Sequence, residues 1–295
     1  MPGYPRLACS HLRVDVGWQP AIDGLTFTMT GDHVLVLGAA RALFEAAAGM
    51  RPVVRGELSI EGRSANEAIR TGLVAAAPLD PPLPGSWTVR QYAIWSARLA
   101  GHSRAAARSL ATEALERMQI TSMMMNAKLV TASPPVRRAA VIAAALATGA
   151  GTLLVEDPVL GLPEESGQPL ARATAGALDD RRTVLFAARL PLQSPLTIAA
   201  DEAIVVAGSL VVAQGAPAEI AASERTLALR VHGDVDAFLR AVEARGAHAL
   251  AAPGAPPPAY VRVDLGPLAA RDLLHIAAES NAVVLELRPL ARAFA

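Results

Sequence analysis

Three short runs constrain this chain more than anything else in it. Val34–Leu37, Leu153–Val155 and Val184–Ala187 are wholly apolar, and each is bounded by residues that read as punctuation. A strand with one wet face alternates apolar and polar positions, whereas a strand covered on both faces reads as an unbroken apolar run. The runs therefore predict a parallel sheet with other layers packed on each side, an α/β architecture. The segments between them carry helical signals. Residues 40–48 are helix formers, 88–119 are helical with a break at Gly101, and Val136–Leu146 is a helix opened by Pro134-Pro135, since proline suits a first turn.

The start of the chain reads differently. Leu12–Val16 and Leu25–Met29 alternate as half-buried strands, with turns expected at Gly17 to Gly24 and at Thr30-Gly-Asp32. Gly56–Gly62 and Leu73–Ala77 are further short strands, and the second runs into a stiff loop, Pro78–Pro84. Ala203–Val206 and Leu210–Ala213 read as a hairpin turning at Gly208. Past residue 225 come a strand (Thr226–Val231), a helix (Asp234–Arg245), a turn or linker (Ala251–Pro258), a strand (Tyr260–Leu265), a helix (Leu268–Ala278) and a strand (Ala282–Leu287). That order suggests a small ferredoxin-like βαββαβ accessory domain. The expected division is residues 1–222 and 223–295, with a helical insert at about 85–130 in the first part.

Composition narrows the function classes. The chain has 295 residues and 52% hydrophobic content, ample for a core, but only 4% aromatics. Net charge is zero and the pI is near 7, which argues against a general nucleic-acid binder. Lys128 is the sole lysine; the Ala, Arg and Pro richness suggests a GC-rich bacterial source. One cysteine, Cys9, excludes an intrachain disulfide and fits a reducing compartment. The opening Met1-Pro-Gly-Tyr-Pro-Arg6 has no apolar signal core. The longest uncharged run, Ala139–Val155, contains Gly149-Ala-Gly151 and reads as a helix ending before a strand rather than as a membrane span. His11, His33, His102, His232, His248 and His275 show no metal-ligand spacing.

The order of landmarks resembles the ATP-binding subunit of an ABC transporter over roughly residues 6–220, in a degenerate form similar to ABC-2-type exporter ATPases. Gly38 ends the first central strand, Thr152–Pro158 matches the strand that ends in two acids, Leu160-Gly-Leu162 the loop after it, and Thr183–Arg189 the strand before the switch residue. The resemblance implies a P-loop NTPase-like core, a membrane subunit as partner, and a nucleotide shared between two such subunits.

The chemical groups are another matter. A phosphate loop needs G-x-x-x-x-G-K-[ST], whose amides, lysine and hydroxyl hold phosphates and magnesium. Counted from Gly38, the second glycine is Leu43, the lysine is Phe44 and the hydroxyl is Glu45, with Arg41 the nearest cation. Aligning Ala46-Ala-Ala-Gly49 with the end of the following helix instead makes the loop look shortened. The site is either a vestigial turn or one rewired around Arg41. Leu79 stands at the family's glutamine. The signature L-S-G-G-Q becomes Ala132-Ser-Pro-Pro-Val136, so Ser133 is kept while Pro134 and Pro135 remove two N–H donors. Ser133 reads equally as a phosphate contact or a helix N-cap. Glu156 takes the place of the magnesium-binding aspartate, and Asp157 that of the general base, one methylene short. Pro163 replaces the aspartate of S-G-L-D, and Arg189 the switch histidine. Trp18 lies two residues from where an adenine-stacking aromatic belongs and reads as a packing residue. Met123–Met125 read as packing at a helix end.

The expectation is therefore a pseudo-ATPase with no cofactor of its own. It would pair with a second ATPase subunit carrying an intact P-loop, dock on a membrane subunit, and sit in the cytoplasm at the inner face of the inner membrane. The alternative is a soluble pseudo-ATPase scaffold outside transport.

Overall fold

The computed structural model describes residues 4–252, 254 and 257–294. Met1–Gly3 of the opening, and Pro253, Ala255 and Pro256 of the expected Ala251–Pro258 linker, lie outside the described residues.

The chain begins with a hairpin of β1 (Leu7–Val16) and β2 (Gln19–Met29). Its turn is only Gly17-Trp18, because Val16 pairs with Gln19. The longer turn expected up to Gly24 is instead strand, which the apolar/polar pattern missed where Pro20 and Gly24 interrupt it. β3 (His33–Gly38) enters a second sheet and is followed by α1 (Ala40–Ala47). β4 (Arg55–Ile60) and β5 (Arg63–Ser64) return to the first sheet, giving the order β2-β1-β4-β5. Ser64 then caps α2 (Ala65–Arg70) by accepting from the Glu67 amide. β6 (Val74–Ala77) forms one edge of the central sheet.

A helical layer follows: α3 (Val89–Leu99), α4 (Arg104–Arg117), α5 (Ser122–Asn126) and α6 (Pro134–Ala147). Thr88 and Gln91 close a reciprocal capping box on α3. At Met123–Met125 only Met125 is buried, while Met123 is exposed. Then come β7 (Thr152–Glu156), α7 (Glu164–Leu178), β8 (Arg182–Ala187), α8 (Pro195–Ile198), β9 (Glu202–Ala207), β10 (Leu210–Gly215) and α9 (Pro217–Ala221). The sequence does not mark α7, since Gly167, Pro169 and Gly176 read as breakers.

The central sheet has the order β10-β9-β3-β8-β7-β6, parallel except for β10. Its strands are covered on both faces, as the apolar runs require. Leu35, Leu37, Leu153, Val155, Leu185 and Ala187 pack towards the helical layer. Val34, Val36, Leu154, Val184 and Phe186 face α1 and the first sheet.

The last part is β11 (Thr226–Gly233), α10 (Val235–Glu243), β12 (His248–Ala251), β13 (Ala259–Asp264), α11 (Asp272–Glu279) and β14 (Ala282–Pro289), closed by a 3-10 turn at Leu290–Phe294. The antiparallel order β12-β13-β11-β14 is the ferredoxin-like arrangement. Leu229, Val231, Val261 and Val263 meet Phe238, Val242, Leu273 and Ile276 in a core of their own. β12 is invisible in the sequence because it is short and half alanine, a poor strand former.

Candidate functional site

The carboxyl ends of β3, β7 and β8 bring most of the singled-out residues together. β3 ends at Gly38 with φ +93°, and a Cβ there would lie 2.2 Å from the Val206 carbonyl oxygen, so only glycine fits. A single residue, Ala39, then connects to α1. The Gly38 amide donates to the Ala188 carbonyl (3.2 Å) and the Ala39 amide to the Val206 carbonyl (3.0 Å). Both donors of this turn are thus used inside the fold. Leu43 and Phe44 are fully buried on the inner face of α1, with Phe44 packed edge-on against Phe186 at 5.5 Å.

Glu45 faces outward and gathers the nearby cations. Its carboxylate accepts from Arg41 Nε (3.1 Å) and Arg51 Nε (2.7 Å). Partial burial pushes this carboxyl up, but the bonds from Arg51 and Arg41 outweigh it and hold the group below the usual carboxylate range. Arg41 Nε also lies 3.8 Å from Glu156 Oε1.

Glu156 ends β7 and is buried. Its Oε2 accepts from the Leu79 amide at 2.9 Å. Leu79 thus contributes a backbone donor while its side chain is buried, a role that motif comparison, which compares side chains, does not reveal. Asp157 is also buried and has φ +31°, a region that aspartate tolerates better than most residues. Its Oδ2 accepts from the Ala188 amide at 3.2 Å. Burial raises the Asp157 carboxyl above its ordinary value, with the Ala188 amide and Arg138 offsetting part of the effect. Arg138 Nη1 donates to the Pro158 carbonyl at 3.2 Å. Ala188 is therefore shared: its carbonyl holds Gly38 and its amide holds Asp157.

Ser133 stands apart at the start of α6. It occupies the N-cap position, yet its side chain makes no cap hydrogen bond. Pro134 and Pro135 fill the first two helical positions and offer no N–H, which leaves the Val136 amide as the one capping donor, and the Ser133 side chain does not accept from it. Arg137, Arg138 and Pro134 line a cleft of about 420 Å³ shared with Leu79 and Val130. Arg189 is exposed on the loop after β8. That loop is held by the end of the chain, with the Leu190 and Leu192 amides donating to the Ala293 and Phe294 carbonyls.

Other singled-out residues do not join. Trp18 is fully exposed at the hairpin tip, so the packing role expected of it is not met: a two-residue turn projects its side chain beyond the sheet. Cys9 is buried, and burial pushes its thiol to about 12. Among the described residues, no group of three or more His, Cys, Asp or Glu is placed to hold a metal, and no helix is long and apolar enough to cross a membrane.

No protein-family model matches the chain, and no curated protein matches its sequence. Solved structures do match. An ATP-binding subunit of an ABC transporter superposes with a TM-score of 0.59 at 18% identity, covering 72% of this chain and 91% of its own. CbiO1 of Clostridium perfringens, part of the CbiONQ ABC transporter complex, gives 0.62 at 17% identity, covering 74% and 91%. A nucleotide-free ATP-binding cassette of an ABC transporter gives 0.60 at 16% identity, covering 72% and 91%. The fold is that of ABC transporter ATP-binding subunits. Within that ABC ATPase fold, β3, β7 and β8 supply the strand ends from which the Gly38, Glu156 and Arg189 positions project. Each likeness leaves more than a quarter of this chain uncovered.

Proposed function

We propose that this chain is a catalytically degenerate ATP-binding-type subunit of an ABC transporter of the exporter type, a pseudo-ATPase that supports an active ATPase partner and a membrane subunit. The observation that carries this reading is the one-residue connection between β3 and α1. An anion cradle at a helix N-terminus needs several free amides aimed at one point. Here the two amides of the turn are bonded to Ala188 and Val206. The Arg41 guanidinium is engaged by Glu45 and Glu156. Charge-assisted bonds are worth ~1.5–3 kcal/mol each, so losing two or three lowers phosphate affinity about 10³-fold or more.

The partner reading follows from what is kept. Residues 1–222 form the ABC-type part and 223–295 the accessory part, whose ferredoxin-like order resembles C-terminal extensions of exporter ATPases. In a head-to-tail pair, Ser133 would meet the partner's nucleotide without glycine amides beside it. The helical segment 85–130, which exposes Trp95 and Leu99, is the surface assigned to a membrane subunit. CbiO1 belongs to such a complex, and the same arrangement is proposed here, peripheral on the cytoplasmic face of the membrane.

Two measurements test the proposal together. The purified chain should show no magnesium-dependent ATP hydrolysis above background, and affinity purification from native membranes in mild detergent should recover a polytopic membrane protein and an ATPase with an intact P-loop. Turnover that disappears in Asp157→Ala would overturn the degenerate reading. Recovery of soluble companions alone would overturn the transporter role in favour of a scaffold.

A further inference from the structure

A second cleft lies at the carboxyl ends of β3, β8 and β9, on the side away from Glu156. It encloses about 590 Å³ between the central sheet and the ferredoxin-like part. Gly38, Ala39 and the loop carrying Arg189 line it together with β14 and the following 3-10 turn. Ligands of open α/β sheets bind outside the carboxyl ends of the strands. The volume is that of an ordinary small-molecule site.

The charge in this cleft is one-sided. Arg189, Arg288 and Arg292 line it, and among the described residues Glu286 is the only acid in its lining. Glu286 is ion-paired to Arg288. Among the described residues, neither Arg189 nor Arg292 has a carboxylate partner. A further guanidinium, Arg230, lies 6.0 Å from the centroid of the Tyr260 ring, which also lines the cleft. That ring is seated on Gly208, where a Cβ would come within 2.3 Å of it, so the junction of the two parts is close-packed at this rim. The rest of the wall is apolar, with Val206, Leu229 and Leu290. Because the amides of Gly38 and Ala39 are already bonded, an anion here is held by side chains. Arginine's planar fork suits carboxylate and phosphate oxygens in particular.

We propose that this cleft binds a small organic oxyanion, a carboxylate or phosphate monoester with an apolar body, held by Arg189, Arg292 and Arg288. The ligand would bridge the two parts of the molecule. The Arg189 loop is already hydrogen-bonded to Ala293 and Phe294, so occupancy would stiffen a junction that exists without ligand. This inference does not depend on whether the chain hydrolyses ATP.

The test uses the full chain with phenyl phosphate, benzoate and the neutral benzyl alcohol as probes, followed by saturation-transfer NMR and titration calorimetry. At least one anion should bind and benzyl alcohol should not. The preferred anion then tells a phosphate ester from a carboxylate. Arg189→Gln and Arg292→Gln should each weaken binding about tenfold, the worth of one charge-assisted contact. Arg104→Gln, an exposed change on α4, should leave it unchanged. Binding of neither anion, binding equal to that of benzyl alcohol, or affinity unmoved by Arg189→Gln and Arg292→Gln would overturn the proposal. Hydrogen exchange on the unsubstituted chain gives a reading free of any folding defect in the variants. The anion should slow exchange of the Leu190 and Leu192 amides, and unchanged exchange at saturating probe also overturns it.

Discussion

Glu156 illustrates how a residue in a catalytic position can be structural in its bonding. Its carboxylate accepts the buried Leu79 amide and faces Arg41, so it ties β7 to the Pro78–Pro84 loop and to α1. Glu156→Ala leaves a buried donor unpaired and should cost about 1–3 kcal/mol in urea unfolding. Glu156→Gln keeps an acceptor in place and should stay within about 1 kcal/mol of the parent. Equal losses in both variants would mean that charge, not the hydrogen bond, is what the site uses. At this scale the sequence was legible in part. The adjacent acids Glu156 and Asp157 stand out at the end of an apolar run, but their partners are backbone amides, and a backbone amide leaves no mark in the residue letters.

The same logic holds for α1 as an element. Its inward face is Leu43 and Phe44, both fully buried, and its outward face carries Arg41 and Glu45. The lysine position of a phosphate loop thus falls on a core position. Phe44→Ala should cost about 3–5 kcal/mol, the usual penalty for deleting a buried aromatic ring. Phe44→Lys should destabilise at least as much, because it adds a buried charge, and should confer no ATP binding in equilibrium dialysis. ATP binding gained by Phe44→Lys in a folded protein would show that the helix can rotate its faces, contrary to its packing on Phe186. The Ala46–Gly49 alignment suggests a shortened loop. That the connection shrinks to Ala39 alone, with Gly38 pressed on the Val206 carbonyl, depends on how closely β3 and β9 approach.

For the whole molecule, the end of the chain matters out of proportion to its length. Phe294 and Leu290 follow the ferredoxin-like sheet in sequence but are buried in the cluster that includes the central sheet. Phe294→Ala should therefore cost about 3–5 kcal/mol and split thermal unfolding into two calorimetric transitions, as the two cores lose their coupling. A single transition at a lowered midpoint would mean that the Tyr260–Gly208 contact is enough to keep them cooperative. The sequence by itself determined the strands covered on both faces, the helix starts at Pro134 and at Thr88, and the strands and helices of the last part other than β12, because these are written in periodicity, capping and apolar runs over a few residues. Tertiary structure alone decided that Glu156 meets Leu79 across 77 residues of chain, that Ala188 serves both Gly38 and Asp157, and that Arg189, Arg288 and Arg292 line one cleft. Local pattern fixes which segments are strands and helices, whereas hydrogen-bond partners and converging charges depend on which strand ends the folded sheet brings side by side.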